Sequence, residues 1–217
     1  MKESEIRNII KRYNERYEKF GYSEESLGWS RNKNDVRFDA LIRFWKKELN
    51  GSSICDFGCG FGDFYKHLEQ KDVSNFKYFG IDINDNLLLK GKELYPAAEF
   101  WSGNILEKKF PVKVDYTFSS GVFNHKLEAT DEYENIEASI MEINNFTSKG
   151  FAINFLSDKV DYFTESNFNS NPGKILEICY KISNNVILCN DYMPFEFTIF
   201  VRKDIRIDTD KLIYRYE

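Results

Sequence analysis

The chain has 217 residues, 42% hydrophobic and 30% charged, with a formal net charge of −5 at pH 7. That composition excludes a disordered chain and allows one domain with a sizeable core and a short appendage. An acidic chain has no long-range attraction for a phosphate backbone, and no apolar run approaches the ~20 residues of a membrane span, so neither nucleic acid nor a membrane is an expected partner.

Charges at Lys2, Glu3, Glu5 and Arg7 argue against a signal peptide, and a cytoplasmic protein is expected. Residues 4–20 place Ile6, Ile9, Ile10, Tyr13, Tyr17 and Phe20 at helical spacing, and Gly21 stops the run. A short segment closes at Gly28. A second helix is expected over residues 35–49, burying Val36, Phe38, Leu41, Ile42, Phe44 and Trp45 before Asn50-Gly51 ends it. The pattern then alternates. Strands are expected at 53–57, 76–81, 98–101, 114–119 and 151–156, with helices at 63–70, 85–94 and 131–147 between them. Thr130 or Asp131 is the expected cap of the last helix. Such alternation signals a parallel sheet of βαβ units. The strands at 186–189 and 195–201 are joined by a turn too short for anything but antiparallel pairing, so one strand of the sheet is reversed.

Cysteine and histidine are sparse. Cys55, Cys59, Cys179 and Cys189 contain no C-x-x-C pair, and His67 and His125 are the only histidines, so reduced thiols and no metal site are expected. The 20 Phe and 13 Tyr fit either rings lining a pocket or a coding bias toward such residues.

The sharpest feature is Asp56-Phe57-Gly58-Cys59-Gly60-Phe61-Gly62, between the first expected strand and a helix. Glycines there let the backbone turn tightly and approach a ligand. In an open α/β sheet the ligand crevice lies outside the carboxyl ends of the strands. A dinucleotide site has G-x-G-x-x-G over a pyrophosphate. Here the glycines alternate evenly, an acid precedes them and Asp63 follows, which suits a ligand without phosphate that carries a positive amino group. Asp82 ends the second strand, where a carboxylate can accept both hydroxyls of a ribose.

These residues closely resemble motif I and the following acidic position of class I S-adenosylmethionine-dependent methyltransferases, and the resemblance spans about Phe44 to Lys203. It implies an α/β, Rossmann-like, mostly parallel seven-stranded sheet of order 3-2-1-4-5-7-6. Strand 7 is antiparallel, helices flank the sheet, and the methyltransferase domain covers residues 51–217. Residues 1–50 would form an N-terminal helical lid or substrate cap. S-adenosylmethionine would be the cofactor and S-adenosylhomocysteine the product. By position, Asp56, Gly58, Gly60 and Gly62 would cradle the methionine part, Asp82 would hold the ribose and Ile83 would pack on the adenine. Asn104 and Ile105 take the adenine-edge position, where many members have Asp in place of Asn104. Ser120, in the loop after the fourth strand, would face the sulfonium.

The acceptor side is less constrained. His125 is a candidate general base, or a loop-packing histidine, while His67 suits a structural or solvated role. Tyr192 and Glu196 are candidate catalytic groups, or residues that close the hairpin. Tyr13, Tyr17, Trp29, Lys33 and Arg37 could face the site, and Arg37 could pair with the cofactor carboxylate. Segments 120–124, 150–156 and 197–203, with Gly28-Trp29, resemble a bacterial subgroup associated with capsule and surface-polysaccharide biosynthesis. The expected activity is O-methylation of a small polar acceptor by a monomer or homodimer. N-, C- or carboxyl-methylation stays open, as do RNA and protein substrates, although no Asn-Pro-Pro-Tyr type motif follows the fourth strand. A dehydrogenase is disfavoured by the glycine spacing, and a non-catalytic binder by the intact motif.

Overall fold

Seven strands form one sheet in the order β3-β2-β1-β4-β5-β7-β6. They are β1 (Ser53–Phe57), β2 (Lys77–Asp82), β3 (Glu99–Ser102), β4 (Val114–Ser119), β5 (Thr147–Leu156), β6 (Val186–Cys189) and β7 (Glu196–Arg202). β1 to β5 run parallel, and β7 is antiparallel to both β5 and β6. This is the expected topology. The computed structural model describes residues 1–29 and 33–203, with the backbone of a separate pair, β8 (Ile205–Asp208) and β9 (Ile213–Tyr216). The sequence reading did not foresee that pair.

Among the described residues six α-helices accompany the sheet: α1 (Glu3–Phe20), α2 (Asn34–Ile42), α3 (Asp63–Gln70), α4 (Asp85–Leu94), α5 (Glu132–Phe146) and α6 (Pro172–Tyr180). The central strands are buried on both faces, so they read as near-continuous apolar runs. On one face Cys55, Ile81, Ile153 and Phe155 share a core with Ile136, Ile140 and Ile143 of α5 and Ile175 of α6. On the other, Ile54, Tyr78, Tyr116, Phe118 and Phe200 pack with Trp45, Leu49, and Phe64 and Leu68 of α3.

Two boundaries differ from expectation for physical reasons. The helix expected over 35–49 ends at Ile42, and the chain continues through turns bonded Arg43 N–H to Ala40 O and Trp45 N–H to Ile42 O. Trp45 and Leu49, four residues apart, are completely buried, while Phe44 and Val36, expected inside, are exposed. β5 begins at Thr147 rather than Phe151, because α5 runs directly into it. Gly150 lies inside that strand, where a Cβ would sit 2.7 Å from the Val201 carbonyl oxygen.

Candidate functional site

The glycine-rich turn leaves β1 at the carboxyl edge of the sheet and enters α3. Gly58, Gly60 and Gly62 all have left-handed backbone, with φ of +76°, +54° and +83°. Added Cβ atoms at Gly58 and Gly60 would lie 2.0 Å from Val122 Cγ2 and 2.9 Å from Leu27 Cδ2, so both glycines also allow close packing. The turn is tied to β2. Gly58 and Cys59 N–H donate to the Ile81 carbonyl at 2.7 and 3.0 Å. Gly60 N–H donates to Asp82 Oδ2 at 2.9 Å, and Asn84 N–H to Asp82 Oδ1 at 2.9 Å. Burial raises the Asp82 pKa, against the backbone donors of Asn84, Gly60 and Ile83. Each carboxylate oxygen retains a further lone pair for a ligand donor. The cap of α4 is Asn84, whose side chain accepts from Asn86 and Leu87 N–H, so Asp82 is free of that duty.

A chamber opens beside this turn. Gly58, Gly60, Asp82, Ile83, Asn104 and Ser120 all line it. Asp82 and Glu132 are its carboxylates, and no Lys or Arg is among its described lining residues. Asn104 also closes a local turn, accepting from Leu106 N–H and donating to Glu107.

Other expected residues lie elsewhere. Alternation along β1 sends the Asp56 side chain to the opposite face from Phe57, where it accepts a 2.6 Å hydrogen bond from Tyr78 Oη. Burial pushes Asp56 up to about 7, opposed by that bond and assisted by Asp82 and Asp63. Gly62 precedes α3, where a Cβ would meet the Phe100 ring at 2.8 Å. Ile105 is buried in the α5-side core. Arg37 and Glu196 form a buried ion pair, with Arg37 Nε 2.9 and 3.0 Å from Oε1 and Oε2. Tyr192 accepts from Thr198 Oγ1 at 2.9 Å. Neither Tyr192 nor Glu196 lines this chamber or its neighbour. Tyr17 packs edge-on against Phe61. His67 is buried between Asp35 and Asp39, a structural arrangement.

A second chamber adjoins the first, and Tyr13, Leu27, Trp29, Gly121 and His125 line both. At this seam Tyr13 Oη lies 2.7 Å from His125 Nε2, and Arg12 Nη1 lies 3.4 Å from Nδ1. Arginine can only donate, so Nδ1 accepts and the neutral ring carries its proton on Nε2, facing Tyr13. Burial and the Arg12 charge push His125 down to about 4. Burial and Asp82 push Tyr13 up to about 12. The Trp29 ring stacks on the Arg37 guanidinium at 4.1 Å and covers Gly121, where a Cβ would lie 2.4 Å from the indole. Sequence reasoning missed Arg12 and Arg16. Their i,i+4 spacing on α1, on either side of Tyr13, was the available signal.

Helix α1 closes over the first chamber through Ile9, Ile10 and Tyr13. Asn14 Oδ1 accepts from Asn84 and Asn86 Nδ2 at 3.0 and 3.1 Å. At the other end Glu5 accepts from Glu128 N–H, Ala129 N–H and Thr130 Oγ1 at 3.0, 2.9 and 2.5 Å. All four cysteines are free, and no cluster of three or more His, Cys, Asp or Glu suited to a metal occurs among the described residues. No described helix is long and apolar enough to cross a membrane.

Residues 48–190 match the family described as a methyltransferase domain. Rv1506c of Mycobacterium tuberculosis, which is named a methyltransferase provisionally, is 30% identical over 161 residues, covering 70% of this chain and 93% of its own. The DhpI–SAH complex superposes with a TM-score of 0.67 over 90% of this chain and 95% of that one, at 12% identity. Magnesium protoporphyrin IX methyltransferase (ChlM) of Synechocystis PCC 6803, with bound SAH, gives 0.62 over 89% and 93%, at 14% identity. At such identities the solved structures speak to the fold. The family match and the relative go further: the chain belongs to the methyltransferase-domain family.

Proposed function

We propose that this methyltransferase binds S-adenosylmethionine in the first chamber and methylates an oxygen of a small polar acceptor held in the second. The carrying observation is the chamber's chemistry: a glycine-rich turn and two carboxylates, with no Lys or Arg among its described lining residues. The one cation among the described lining residues is the Met1 ammonium, which donates to Asn135 Oδ1 at 3.1 Å, so the two carboxylates outweigh it and a sulfonium and an ammonium would find net negative charge. The crystals of similar folds that hold SAM or SAH agree with this choice.

In this reading Asp82 accepts the ribose hydroxyls, Ile83 lies against the adenine and Asn104 meets its edge. Gly58, Gly60 and Ser120 border the methionine part. Asp56 acts from below, through charge and the Tyr78 bond, rather than by touching the ligand. When bound, S-adenosylmethionine supplies a methyl group already activated on a positive sulfur, so the protein's task is in-line positioning and removal of an acceptor proton.

His125 is neutral at pH 7 and stands at the seam; its Nδ1, which accepts from Arg12, is the candidate proton acceptor once that guanidinium turns away to another partner. Glu196 fixes Arg37, and Arg37 fixes Trp29, so both are positioning residues for the seam. Tyr192 buttresses β7 through Thr198. The lid role of residues 1–50 is supported by the contacts of α1. The capsule and surface-polysaccharide setting is supported by sequence segments 120–124, 150–156 and 197–203. A monomer or homodimer in the cytoplasm completes the proposal; the four free thiols suit a reducing compartment.

Calorimetry with S-adenosylhomocysteine tests it. Asp82→Ala removes two charge-assisted acceptors, each worth about 1.5–3 kcal/mol, so affinity is expected to fall at least about tenfold. A circular dichroism melt checks that the variant folds. Unchanged affinity in a folded variant rejects the ribose assignment.

A further inference from the structure

The second chamber has the opposite electrostatic character to the first. Arg12, Arg16, Lys33 and Arg37 line it, and no Asp or Glu is among its described lining residues. In a chain of net charge −5 this is a local inversion of sign. Glu196 pairs with Arg37 and also attracts Lys33. Arg12, Arg16 and Lys33 make no salt bridge among the described residues. Arg16 spends Nε and Nη2 on the Glu25 carbonyl, Arg12 touches His125, and Lys33 lies over the Phe195 ring at 5.6 Å. Arg37 Nη1 is buried with no hydrogen-bond partner among the described residues. Cations of one sign around one cavity, with an orphaned buried guanidinium nitrogen among them, offer an anion both charge and a free donor. Asn124 and Asn167 also line the chamber and add neutral polar groups.

We infer that this chamber is an oxyanion subsite, and that the methyl acceptor is a small molecule anchored by a phosphoryl or carboxylate group on Arg12, Lys33 and Arg37. The inference rests on the methyltransferase reading for the identity of the acceptor, but the subsite itself stands on geometry and charge. Guanidinium groups present planar forks that suit both kinds of oxyanion. The pairing also has a catalytic consequence. An anion beside Arg12 cancels the charge that, with burial, depresses His125, and so raises its basicity only when acceptor is present.

The test is titration of the full chain with inorganic phosphate and with acetate, each before and after loading with S-adenosylhomocysteine, read by calorimetry and by the His125 imidazole NMR signal. One of the anions is expected to bind at one site per chain, weakening with salt, and to move the His125 titration upward from about 4. The stronger of the two identifies the headgroup as phosphoryl or carboxylate. Lys33→Gln and Arg12→Gln are each expected to weaken that binding at least about fivefold while leaving S-adenosylhomocysteine affinity within about twofold. Failure of both anions to bind overturns the subsite, as does equal binding by both variants. If phosphate or acetate binds and S-adenosylhomocysteine does not, the subsite stands and the cofactor reading falls. If only S-adenosylhomocysteine binds, the reverse holds.

Discussion

The contact between Tyr13 and His125 sets the acid–base character of the seam. His125 is held at about 4, below the 6.5 of an ordinary imidazole, so the unfolded chain binds the extra proton between those values. This group's share of stability is therefore complete above pH 6.5 and is lost as pH falls toward 4. An NMR titration of the acceptor-free protein is expected to show this imidazole neutral down to about pH 4, and a midpoint near 6.5 would contradict the described environment. Single residues were also where the sequence was least legible. Gly58, Gly60, Asp82, Ile83, Asn104 and Ser120 reach the first chamber because strand ends and turn backbone put them there, and a motif encodes both. Asp56 sits in the same motif, yet strand alternation turns it to the other face, toward Tyr78. Arg37 and Glu196 are 159 positions apart, and no local pattern announces that pairing.

At the scale of elements, α1 is held across the first chamber by both ends. Burial alone would raise the Glu5 pKa, but donors from Thr130, Ala129, Lys2 and Glu128 outweigh it and hold the group at about 2, against 4.5 normally. The stabilisation it supplies is present above pH 4.5 and is lost as pH falls toward 2. Glu5→Ala removes several hydrogen bonds to a carboxylate and is expected to cost about 1.5–3 kcal/mol. Hydrogen exchange in α1 is expected to accelerate at least about tenfold in that variant, with the central strands unchanged. Equal protection of α1 in both proteins would show that the strap depends on other contacts. Regular elements were legible where period and boundary agree. α3, α4, β4 and β6 run as read, with Gly62 and Asn84 before the two helices and a turn after Cys189. The stretch after Ile42 was not, because Trp45 and Leu49 keep helical spacing while the backbone passes into turns bonded Arg43 N–H to Ala40 O and Trp45 N–H to Ile42 O. β8 and β9 carry mixed charged and apolar residues with no turn motif to announce them.

Across the whole molecule, charge is sorted between two adjoining chambers: carboxylates where a sulfonium nucleoside would lie, guanidinium and ammonium groups where its acceptor would lie. Strand order was legible because buried parallel strands, a glycine turn after the first and a closing hairpin leave few alternatives. The direct test is a crystal structure of the full chain grown with S-adenosylhomocysteine. The ribose hydroxyls should bond to Asp82, the adenine should lie against Ile83 with its edge at Asn104, and the sulfur should face the seam of Tyr13 and His125. Electron density for the nucleoside anywhere else, or none in a crystal soaked at saturating ligand, would contradict the account.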